Sequence, residues 1–423
     1  AGIPVFGVGP SAAAAKQLEA GAGTIADTLH KLVDEHAGQA DRFGPPGTKW
    51  DLPAQSVVII DEAGMVDTRL LHRYSQIAQA KNWRTILVGD HRQLDAVDAG
   101  GMFAELVKDA DVVTVELDTL HRFEHDWEAN ASLGLRDGNT AAVEEYDRHG
   151  RIRGHVDQAT AIDAVAEAAF GGIVDGRDVL VMAPTNAIVD ELNTTITDRL
   201  LQFGLLDPEH RIDIGGCTFF PGQLVVTRAN DRRLVHGAGG GEWVRNGDRW
   251  QVDAGTDDEL YLTSVASGHH LALPVDYVAA GNVTVDYAST INRAQGATVD
   301  EAHLLIGDRT NSKQLYVGTS RGRSANHIHT ALPAFDPDQH GPAHDATDWT
   351  PQQAVTAALT RQPDEVSAIE RRRQLRELAG PPVAEQGHVS TISEPPHAAS
   401  ERAVAAMSRL QRFTRRTNQG LER

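Results

Sequence analysis

Two adjacent carboxylates, Asp61 and Glu62, follow a short apolar run and are the first candidates for chemistry in this sequence. The run occupies residues 57–60 and reads V-V-I-I. A β-branched run of this length that stops at polar residues predicts a strand buried on both faces. Because ligands of α/β sheets collect at the carboxyl ends of the strands, we expect both acids at a ligand-binding edge.

A carboxylate pair with a nearby amide can carry out metal-assisted phosphoryl transfer. One carboxylate holds Mg²⁺, which prefers oxygen ligands, and the second polarises the attacking water. Asp61 and Glu62 suit these roles, and Gln93 suits the amide that orients the water or senses the terminal phosphate. Gln93 follows a second apolar run, residues 85–88, so we expect it with Asp90 along the same edge. The alternative is that the acids merely mark where buried strands reach the surface.

The elements that must position these residues alternate between strands and helices. Residues 3–20 predict a strand, a loop and an alanine-rich helix capped by Ser11. Further helices are expected at 25–35, 104–108, 127–136, 161–170 and 187–201, and further strands at 57–60, 85–88, 112–117, 178–183 and 303–306. This alternation predicts an α/β fold with parallel sheets.

The pattern changes between residues 211 and 282, where short β-rich runs are separated by Gly- and Asn-rich turns. Asn246-Gly247 is the clearest hairpin signal in this region. We predict a small β-barrel inserted into a second lobe. The region has local positive charge from Arg228, Arg232, Arg233, Arg245 and Arg249. These arginines would line a groove for a nucleic-acid strand, or remain solvated as hairpin arginines commonly do.

Composition and charge limit the possible classes of protein. A chain of 423 residues with 41% hydrophobic residues allows two to four domains. It contains no apolar run of about eighteen residues, so no membrane span is expected. The single cysteine, Cys217, excludes an internal disulfide and is typical of a reducing cytoplasm. The formal charge of −20 argues against a generally basic nucleic-acid-binding surface and leaves room for local basic grooves.

Residues 44–49, G-P-P-G-T-K, look like the start of a phosphate-binding loop. The full pattern is G-x-x-x-x-G-K-[ST]. Lys49 follows Thr48 and precedes Trp50, so the pattern fails and we predict a surface loop. No other segment of the sequence matches the pattern. The chain starts with Ala1 rather than Met, which suggests a trimmed or partial protein.

Six motifs occur in a characteristic order along the sequence. They are G-V-G-P-S-A-A-A-A at 7–15, D-E-A-G-M at 61–65, G-D-H-R-Q-L at 89–94, L-H-R-F at 120–123, S-T-I-N-R-A-Q-G-A-T-V-D at 289–300 and Y-V-G-T-S-R-G-R at 316–323. In this order they resemble motifs Ia to VI of the helicase part of conjugative relaxases of the TrwC/TraI (MobF) type, in the RecD-like branch of superfamily 1. The resemblance covers about residues 3–330.

The resemblance implies an ATP-dependent helicase that moves 5′ to 3′ on single-stranded DNA during plasmid transfer. Asp61 would then hold Mg²⁺, and Glu62 would activate water. Gln93 would contact the terminal phosphate of ATP. Arg122 and Arg321 would neutralise charge on the transferring phosphoryl group, unless Arg321 is a solvated arginine at a helix start. We expect Asp61, Glu62 and Gln93 to face a cleft between two lobes, with Arg321 opposite.

The resemblance also implies contacts with DNA and with the conjugative transfer machinery. Ser11, Thr290 and Gln295 would contact the DNA backbone, and Gly296 lies in the motif that links nucleotide to DNA. From the residues alone, Ser11 is equally an ordinary capping serine. Asn292 stands where the family has His, which is a mild departure.

The implied domain organisation has two RecA-like lobes. Residues 1–118 would form an N-terminally truncated first lobe, and residues 119–210 with 283–330 the second. Residues 211–282 would form an inserted SH3-like β subdomain, and 331–423 a linker, a charged helix and an Arg-rich tail. The first-lobe sheet should lack the strand that leads into the phosphate loop.

The absent phosphate loop leaves two functional classes open. Its lysine and backbone N–H groups supply most of the phosphate cradle in this family. In the first class, the chain is the larger part of a helicase whose phosphate loop was cut off or is encoded separately, and it is inactive alone. In the second class, the chain is a non-hydrolysing DNA-binding or scaffolding remnant.

Overall fold

The chain divides into two compact units in the computed structural model, which describes residues 3–36, 50–96, 100–109, 111–116, 122–237, 242–331 and 349–362. Among the described residues, the first unit contains those up to 91 and those from 95 to 116. The second unit contains residues 92–94 and those from 122 to 362. The segment 44–49 and the predicted C-terminal helix and tail lie outside the described residues.

The first unit is a parallel sheet flanked by helices. Its elements are β1 (Val5–Gly9), α1 (Ala12–Ala22), β2 (Ala26–Thr28), α2 (Leu29–His36), β3 (Val57–Ile60), α3 (Thr68–Lys81), β4 (Arg84–Leu87) and α4 (Met102–Lys108). The strand order is β2-β1-β3-β4, with every neighbouring pair parallel. Alternate residues of the central strands enter the core, where Phe6, Val8, Val58 and Ile60 are buried. The predicted strand at 57–60 is confirmed.

The β4 edge of this sheet exposes apolar side chains. Within the described residues β4 pairs only with β3. The side chain of Ile86 is 49% exposed and that of Val88, directly after the strand, is 41% exposed. Edge strands present unpaired backbone groups and are usually blunted by charge or cover. Arg84 and Thr85 are exposed on the same strand, so the apolar part of this edge is its carboxyl end.

The second unit contains a larger parallel sheet with helices on both faces. Its elements are α5 (Asp126–Arg136), α6 (Ala141–Arg148), β5 (Ile152–His155), α7 (Gln158–Val174), β6 (Val179–Ala183), α8 (Asn186–Gln202), β16 (Ala288–Thr290), β17 (Val299–Ile306), α10 (Ser312–Gly318), β18 (Gly322–Ala331) and α11 (Pro351–Thr360). The strand order is β16-β6-β17-β18-β5, and all neighbours are parallel. Two hydrophobic clusters cover its faces, one containing α5, α6, α10 and α11 residues and the other α7 and α8 residues.

A β-rich region lies between α8 and β16 in the chain. Its elements are β7 (Ile212–Ile214), β8 (Cys217–Phe219), β9 (Leu224–Thr227), β10 (Asp231–His236), β11 (Glu242–Val244), β12 (Arg249–Gly255), β13 (Glu259–Ser264), β14 (His270–Pro274), α9 (Val275–Ala279) and β15 (Val283–Val285). The strands form a five-stranded antiparallel sheet, β14-β13-β12-β9-β15, and two two-stranded sheets, β7-β8 and β10-β11. The region has its own core around the fully buried Trp250.

The prediction that Asn246-Gly247 connects two strands paired with each other is wrong. A turn does form there, with Gly247 at a φ of 95°. The flanking strands pair elsewhere, because β11 pairs with β10 while β12 pairs with β9 and β13. Local turn chemistry therefore specified the bend, and burial of Trp250 on β12 decided the partners.

Three further expectations differ from the structure. Residues 26–28 form β2, so only part of the predicted helix at 25–35 is helical. Residues 112–116 form no strand. Residues 351–360, assigned to a linker by composition, form α11, whose Val355, Ala358 and Leu359 are buried in the second unit. No helix among the described residues is long and apolar enough to cross a membrane.

A row of buried histidines crosses the sheet of the second unit. His329 on β18 is fully buried, with its ring nitrogens 3.2 Å from nitrogens of His155 on β5 and His303 on β17. Burial lowers the pKa of His329 to about 2, and neighbouring His303, His155, His327 and Arg153 oppose its protonation further. The folded protein therefore holds His329 neutral.

We expect the second unit to lose stability as the pH falls from 7.5 to 5.5. The unfolded chain takes up a proton at His329 near its ordinary pKa of about 6.5, and the folded protein excludes it. The free energy of unfolding should fall by about 1.4 kcal/mol over this interval from His329 alone. Urea titrations at the two pH values measure the loss.

The variant His329→Leu should show a pH dependence smaller by about 1.4 kcal/mol, because it removes the titrating ring. His30→Leu, which removes an exposed ring in the first unit, is the matched control and should leave the dependence unchanged. An unaltered pH dependence in His329→Leu would contradict the assignment.

Candidate functional site

The acidic pair of the first unit is held at the carboxyl end of β3 by backbone contacts. The N–H of Asp61 donates to the carbonyl of Val8 on β1 at 2.9 Å, which continues the sheet by one residue. Oδ1 of Asp61 accepts from the N–H of Glu62 at 2.9 Å. Both side chains are half-buried. The sheet, rather than a mobile loop, therefore positions both carboxylates, and an oxygen-only donor set at this edge fits Mg²⁺.

Glu62 adopts a backbone conformation that is rare for its residue type. Its φ of 50° and ψ of 43° place it in the left-handed region, from which a 3-10 helix, Ala63–Met65, begins. A non-glycine residue there costs roughly 1 to 3 kcal/mol, and such residues cluster at functional sites. The N–H of Ala63 donates to the carbonyl of Val88 at 2.8 Å, so the ends of β3 and β4 lie side by side.

Gln93 lies in a different unit from the acidic pair. Residues 92–94 belong to the second unit, where Leu94 is buried in the core. The neighbouring Arg92 forms an ion pair with Asp137 at the end of α5. Asp61, Glu62 and Asp90 belong to the first unit, and the expectation that they share one sheet edge with Gln93 stays a prediction.

Arg122 and Arg321 converge on Ser320 in the second unit. Nη1 of Arg122 donates to the Ser320 carbonyl, and its Nε donates to Oγ1 of Thr298 at 3.1 Å. Nη2 of Arg321 donates to Oγ of Ser320 at 2.8 Å, and its Nε donates to the Val317 carbonyl at 2.9 Å. Arg321 is 1% exposed. The alternative of a solvated arginine at a helix start is therefore wrong, since Arg321 is buried and follows the end of α10.

A buried carboxamide, Asn326 on β18, fixes the backbone at Arg321. Its Oδ1 accepts from the N–H groups of Arg321 at 3.1 Å and Gly322 at 2.7 Å. Its Nδ2 donates to the Gly322 carbonyl and to Oε1 of Glu128 on α5, which also accepts from the Asn326 N–H at 2.9 Å. Burial raises the pKa of Glu128. This network was not predicted from the sequence.

The same turn requires glycine at position 322. A Cβ added to Gly322 would lie 2.1 Å from the carbonyl oxygen of Ala325, a backbone atom that cannot move aside easily. The turn from α10 into β18 is therefore tight enough to exclude any side chain. This close approach is what lets Asn326 reach two successive N–H groups.

The residues of the second unit that would contact DNA lie at the end of β16 and in the turn that follows it. Thr290 ends this strand, and its carbonyl accepts from the N–H of Ala294 at 3.1 Å. Gly296 has a φ of 83°, a conformation that favours glycine. Oε1 of Gln295 is buried and makes no hydrogen bond within the described residues. These residues form one compact turn.

Ser11 belongs to the first unit and caps α1. Its Oγ accepts from the N–H of Ala14 at 3.1 Å, and the residue is exposed. The ordinary capping function is confirmed. The hydroxyl hydrogen remains a potential donor to an anion at this helix N-terminus.

A pocket at the start of α8 brings two arginines together. It is lined by Asn186, Asp190, Arg228 and Arg293, among others. Burial lowers the pKa of both guanidinium groups, and repulsion from Arg228 lowers that of Arg293 further. An anion in this pocket would relieve the repulsion. Arg293, inside the fifth motif, was not singled out from the sequence.

The other arginines of the β-rich region have separate environments. Arg249 bridges Asp286 and Asp178, with Nε 2.7 Å from Asp286. Arg233 forms a bidentate pair with Asp231, which lowers the pKa of that carboxyl to about 2. The last two arginines, Arg232 and Arg245, stack on the ring of Trp243. Their guanidinium carbons lie 4.3 and 4.8 Å from the ring centroid.

The fold places the chain in a recognisable class of α/β proteins. It is similar to the crystal structure of the Pif1 helicase from Candida albicans, with a TM-score of 0.50 and 16% identity over 88% of this chain and 96% of that one. The likeness shows the fold alone, which is that of this Pif1 helicase. Residues 1–157 match the family described as an AAA domain.

Curated relatives include conjugal transfer proteins and RecD subunits. A probable conjugal transfer protein TraA of Sinorhizobium fredii is 28% identical over 71% of this chain and 27% of its own length. The RecBCD enzyme subunit RecD of Mycobacterium tuberculosis is 29% identical over 66% of this chain and 48% of its own length. The chain thus spans between a quarter and a half of these relatives. Its homologues are conjugal transfer TraA proteins and RecD helicases, which confirms the resemblance to the RecD-like helicase of a relaxase.

We expect Asn326→Ala to destabilise the second unit by at least about 2 kcal/mol. The change leaves the N–H groups of Arg321 and Gly322 and a carboxyl oxygen of Glu128 without this partner in a buried site, and each such loss costs about 1 to 3 kcal/mol. Thermal or urea unfolding measures the change. Asn130→Ala, at an exposed position on α5, is the control and should cost less than about 0.5 kcal/mol. Equal stability of the two variants would contradict the network.

Proposed function

We propose that this chain is the helicase portion of a conjugative relaxase, which uses ATP and Mg²⁺ to move 5′ to 3′ along single-stranded DNA. The observation that carries the proposal is the Asp61-Glu62 pair, fixed at the carboxyl end of a buried parallel strand in a chain whose homologues are conjugal transfer and RecD proteins. Its partners would be single-stranded DNA and the transfer machinery, in the cytoplasm.

The proposed site uses Asp61 as the Mg²⁺ ligand. When bound, the ion would supply positive charge that offsets the charge of the phosphates. Oδ1 of Asp61 accepts from Glu62 N–H, which holds this carboxylate in place as a candidate ligand. Glu62 accepts a proton from the attacking water, and its left-handed backbone fixes where that carboxylate emerges. Gln93 senses the terminal phosphate.

Arg122 and Arg321 are proposed to stabilise charge on the transferring phosphoryl group. Both guanidinium groups are anchored on Ser320, so part of each donor set is used in positioning. A guanidinium held in a buried environment interacts more strongly with a phosphate than one in water, because the effective dielectric constant is lower. Asn326 acts on Arg321 through the backbone, which makes it a positioning residue.

We further propose a domain organisation with a first RecA-like lobe at 1–118, a second at 119–210 and 283–330, and an SH3-like subdomain at 211–282. The separate hydrophobic core around Trp250 supports an independent subdomain. The apolar β4 edge, with Ile86 and Val88 exposed, supports the pairing of a further strand beside β4. We propose that this strand leads into the phosphate loop.

A polypeptide of residues 1–423 should show no ATP hydrolysis stimulated by single-stranded DNA. These residues contain no G-x-x-x-x-G-K-[ST] pattern, so the phosphates would be contacted only by Mg²⁺ on Asp61 and by the side chains of Gln93, Arg122 and Arg321. Transfer depends mainly on positioning, and loss of a positioning element lowers the rate by several powers of ten. A phosphate-release assay measures the rate with and without an added N-terminal segment that carries the loop.

The extended protein should hydrolyse ATP, and Glu62→Gln in that protein should abolish hydrolysis. Glu19→Gln, an exposed glutamate on α1, is the matched control and should keep full activity. Robust hydrolysis by residues 1–423 alone would show that the missing loop is not decisive. Failure of the extended protein to hydrolyse ATP would favour the second function, a non-hydrolysing DNA-binding remnant.

The arginine pocket should contribute to DNA binding. Arg228→Gln combined with Arg293→Gln should weaken binding to single-stranded oligonucleotides, because two candidate phosphate contacts are lost. The slope of log K against log salt should become less negative by about 0.7 for each contact. Fluorescence anisotropy with labelled oligothymidine at several salt concentrations measures both effects.

Arg233→Gln is the matched control for this experiment. Its guanidinium is exposed and already paired with Asp231, so its loss should leave the salt slope close to that of the unmodified protein. If the double variant and the control weaken binding to the same extent, the pocket is not a specific phosphate contact.

A further inference from the structure

Three potential metal ligands meet at one end of the β10-β11 sheet. His236 is the last residue of β10 and Glu242 the first of β11, and the two are paired directly across the antiparallel ladder. His269 comes from a different hairpin, in the turn between β13 and β14. One ligand atom from each of the three residues lies within 4.8 Å of the other two.

The distances in this cluster are too long for hydrogen bonds and close to those of a shared metal. Nδ1 of His236 lies 3.6 Å from Oε2 of Glu242, and Nδ1 of His269 lies 3.8 Å from the same oxygen. A nitrogen-to-oxygen separation of about 3.6 Å is beyond the hydrogen-bond range. Ligands about 2.1 Å from a tetrahedral Zn²⁺ are roughly 3.4 Å from one another. The ligand atoms of the two histidines lie within 4.8 Å of each other, so the rings would have to move closer together to complete the site.

The surroundings of the cluster hold its rings in place. The side chain of His236 is 3% exposed, and its ring packs edge-on against Trp250 with centroids 4.9 Å apart. Nδ1 of His269 is buried and makes no hydrogen bond within the described residues. The backbone of Gly237 approaches that ring so closely that a Cβ there would lie 3.0 Å from Nδ1. The cluster is therefore partly buried yet contains a carboxylate and two imidazoles.

We propose that His236, Glu242 and His269 bind a divalent transition metal, of which Zn²⁺ is the best fit. Two neutral imidazoles and one carboxylate carry a net charge of −1, which offsets part of the charge of the ion. Two His with one Glu are a recognised ligand set for Zn²⁺, and a water molecule takes the fourth position. The half-exposed Glu242 and His269 give the ion a route from solvent.

The bound ion joins two hairpins that are otherwise separate in the sheet topology. It fastens the end of the two-stranded β10-β11 sheet to the turn of the five-stranded sheet. The β10-β11 strands also carry Arg232 and Trp243, which stack on each other. The role we propose for the metal is to fasten these two sheets together, and it is independent of nucleotide hydrolysis.

Zn²⁺ titration of the chelator-treated full chain by isothermal calorimetry tests this proposal. The unmodified protein should bind one equivalent more than His269→Ala, and Glu242→Gln should weaken that site at least tenfold. His270→Ala is the matched control, because the adjacent ring is 83% exposed and contacts Thr263 and Asp253 instead. It should retain the full stoichiometry.

Co²⁺ absorption and thermal unfolding give readouts that do not depend on stoichiometry. The unmodified protein and His270→Ala should develop the d–d bands of a four-coordinate Co²⁺ site, and Zn²⁺ should raise their melting temperature. His269→Ala and Glu242→Gln should show neither effect, while circular dichroism checks that each is folded. Equal Zn²⁺ binding by His269→Ala and the unmodified protein would overturn the proposal. So would the absence of any Zn²⁺ binding or Zn²⁺-dependent rise in melting temperature in the unmodified protein, which would leave the cluster as an ion pair between histidine and glutamate.

Discussion

The candidate site of the second unit depends on the hydrogen bonds made by the carboxamide of Asn326. One side chain, fully buried, accepts from two successive N–H groups and donates to a carbonyl and a carboxylate. It thereby fixes the turn at Ser320 to Gly322, and both candidate arginines are anchored on Ser320. A buried network of this kind favours one geometry only if every member is satisfied. Burial raises the pKa of Glu128, and its Oε2 is buried without a hydrogen bond within the described residues, so one member of the network is not satisfied.

The parts of the fold that the sequence predicted are those decided by local pattern. Residues 57–60 were predicted as a buried strand because four successive apolar residues end at two acids, and the sheet confirms it. The Glu128–Asn326 contact joins residues 198 apart in the chain, so no local pattern contains it. Asn246-Gly247 also shows that a local pattern does not determine which strands pair. Its turn chemistry was correct, but the core around Trp250 selected different strand partners.

This acidic chain can bind the proposed anionic ligands because its charged residues are distributed unevenly. A formal charge of −20 would repel nucleic acid if it were uniform. Arg249 and Arg233 are already compensated by carboxylates, so they add little to any anion site. Arg228 and Arg293 differ, since burial lowers the pKa of both and repulsion between them is only partly offset by Asp286 and Asp190. Local burial of like charges, rather than net charge, therefore indicates where a phosphate is favoured.

The β10-β11 sheet poses a stability problem that the rest of the β-rich region does not. An isolated two-stranded sheet is marginal in water, so its orientation needs contacts beyond its own ladder. At its base, Asn230 Oδ1 accepts from the N–H of Asn246 at 2.9 Å, and Tyr277 Oη donates to the Ala229 carbonyl at 2.6 Å. At its far end His236 packs against Trp250 and lies near the Glu242 and His269 side chains. A metal that draws the three ligands together would add a second point at which this sheet is fastened to the five-stranded sheet.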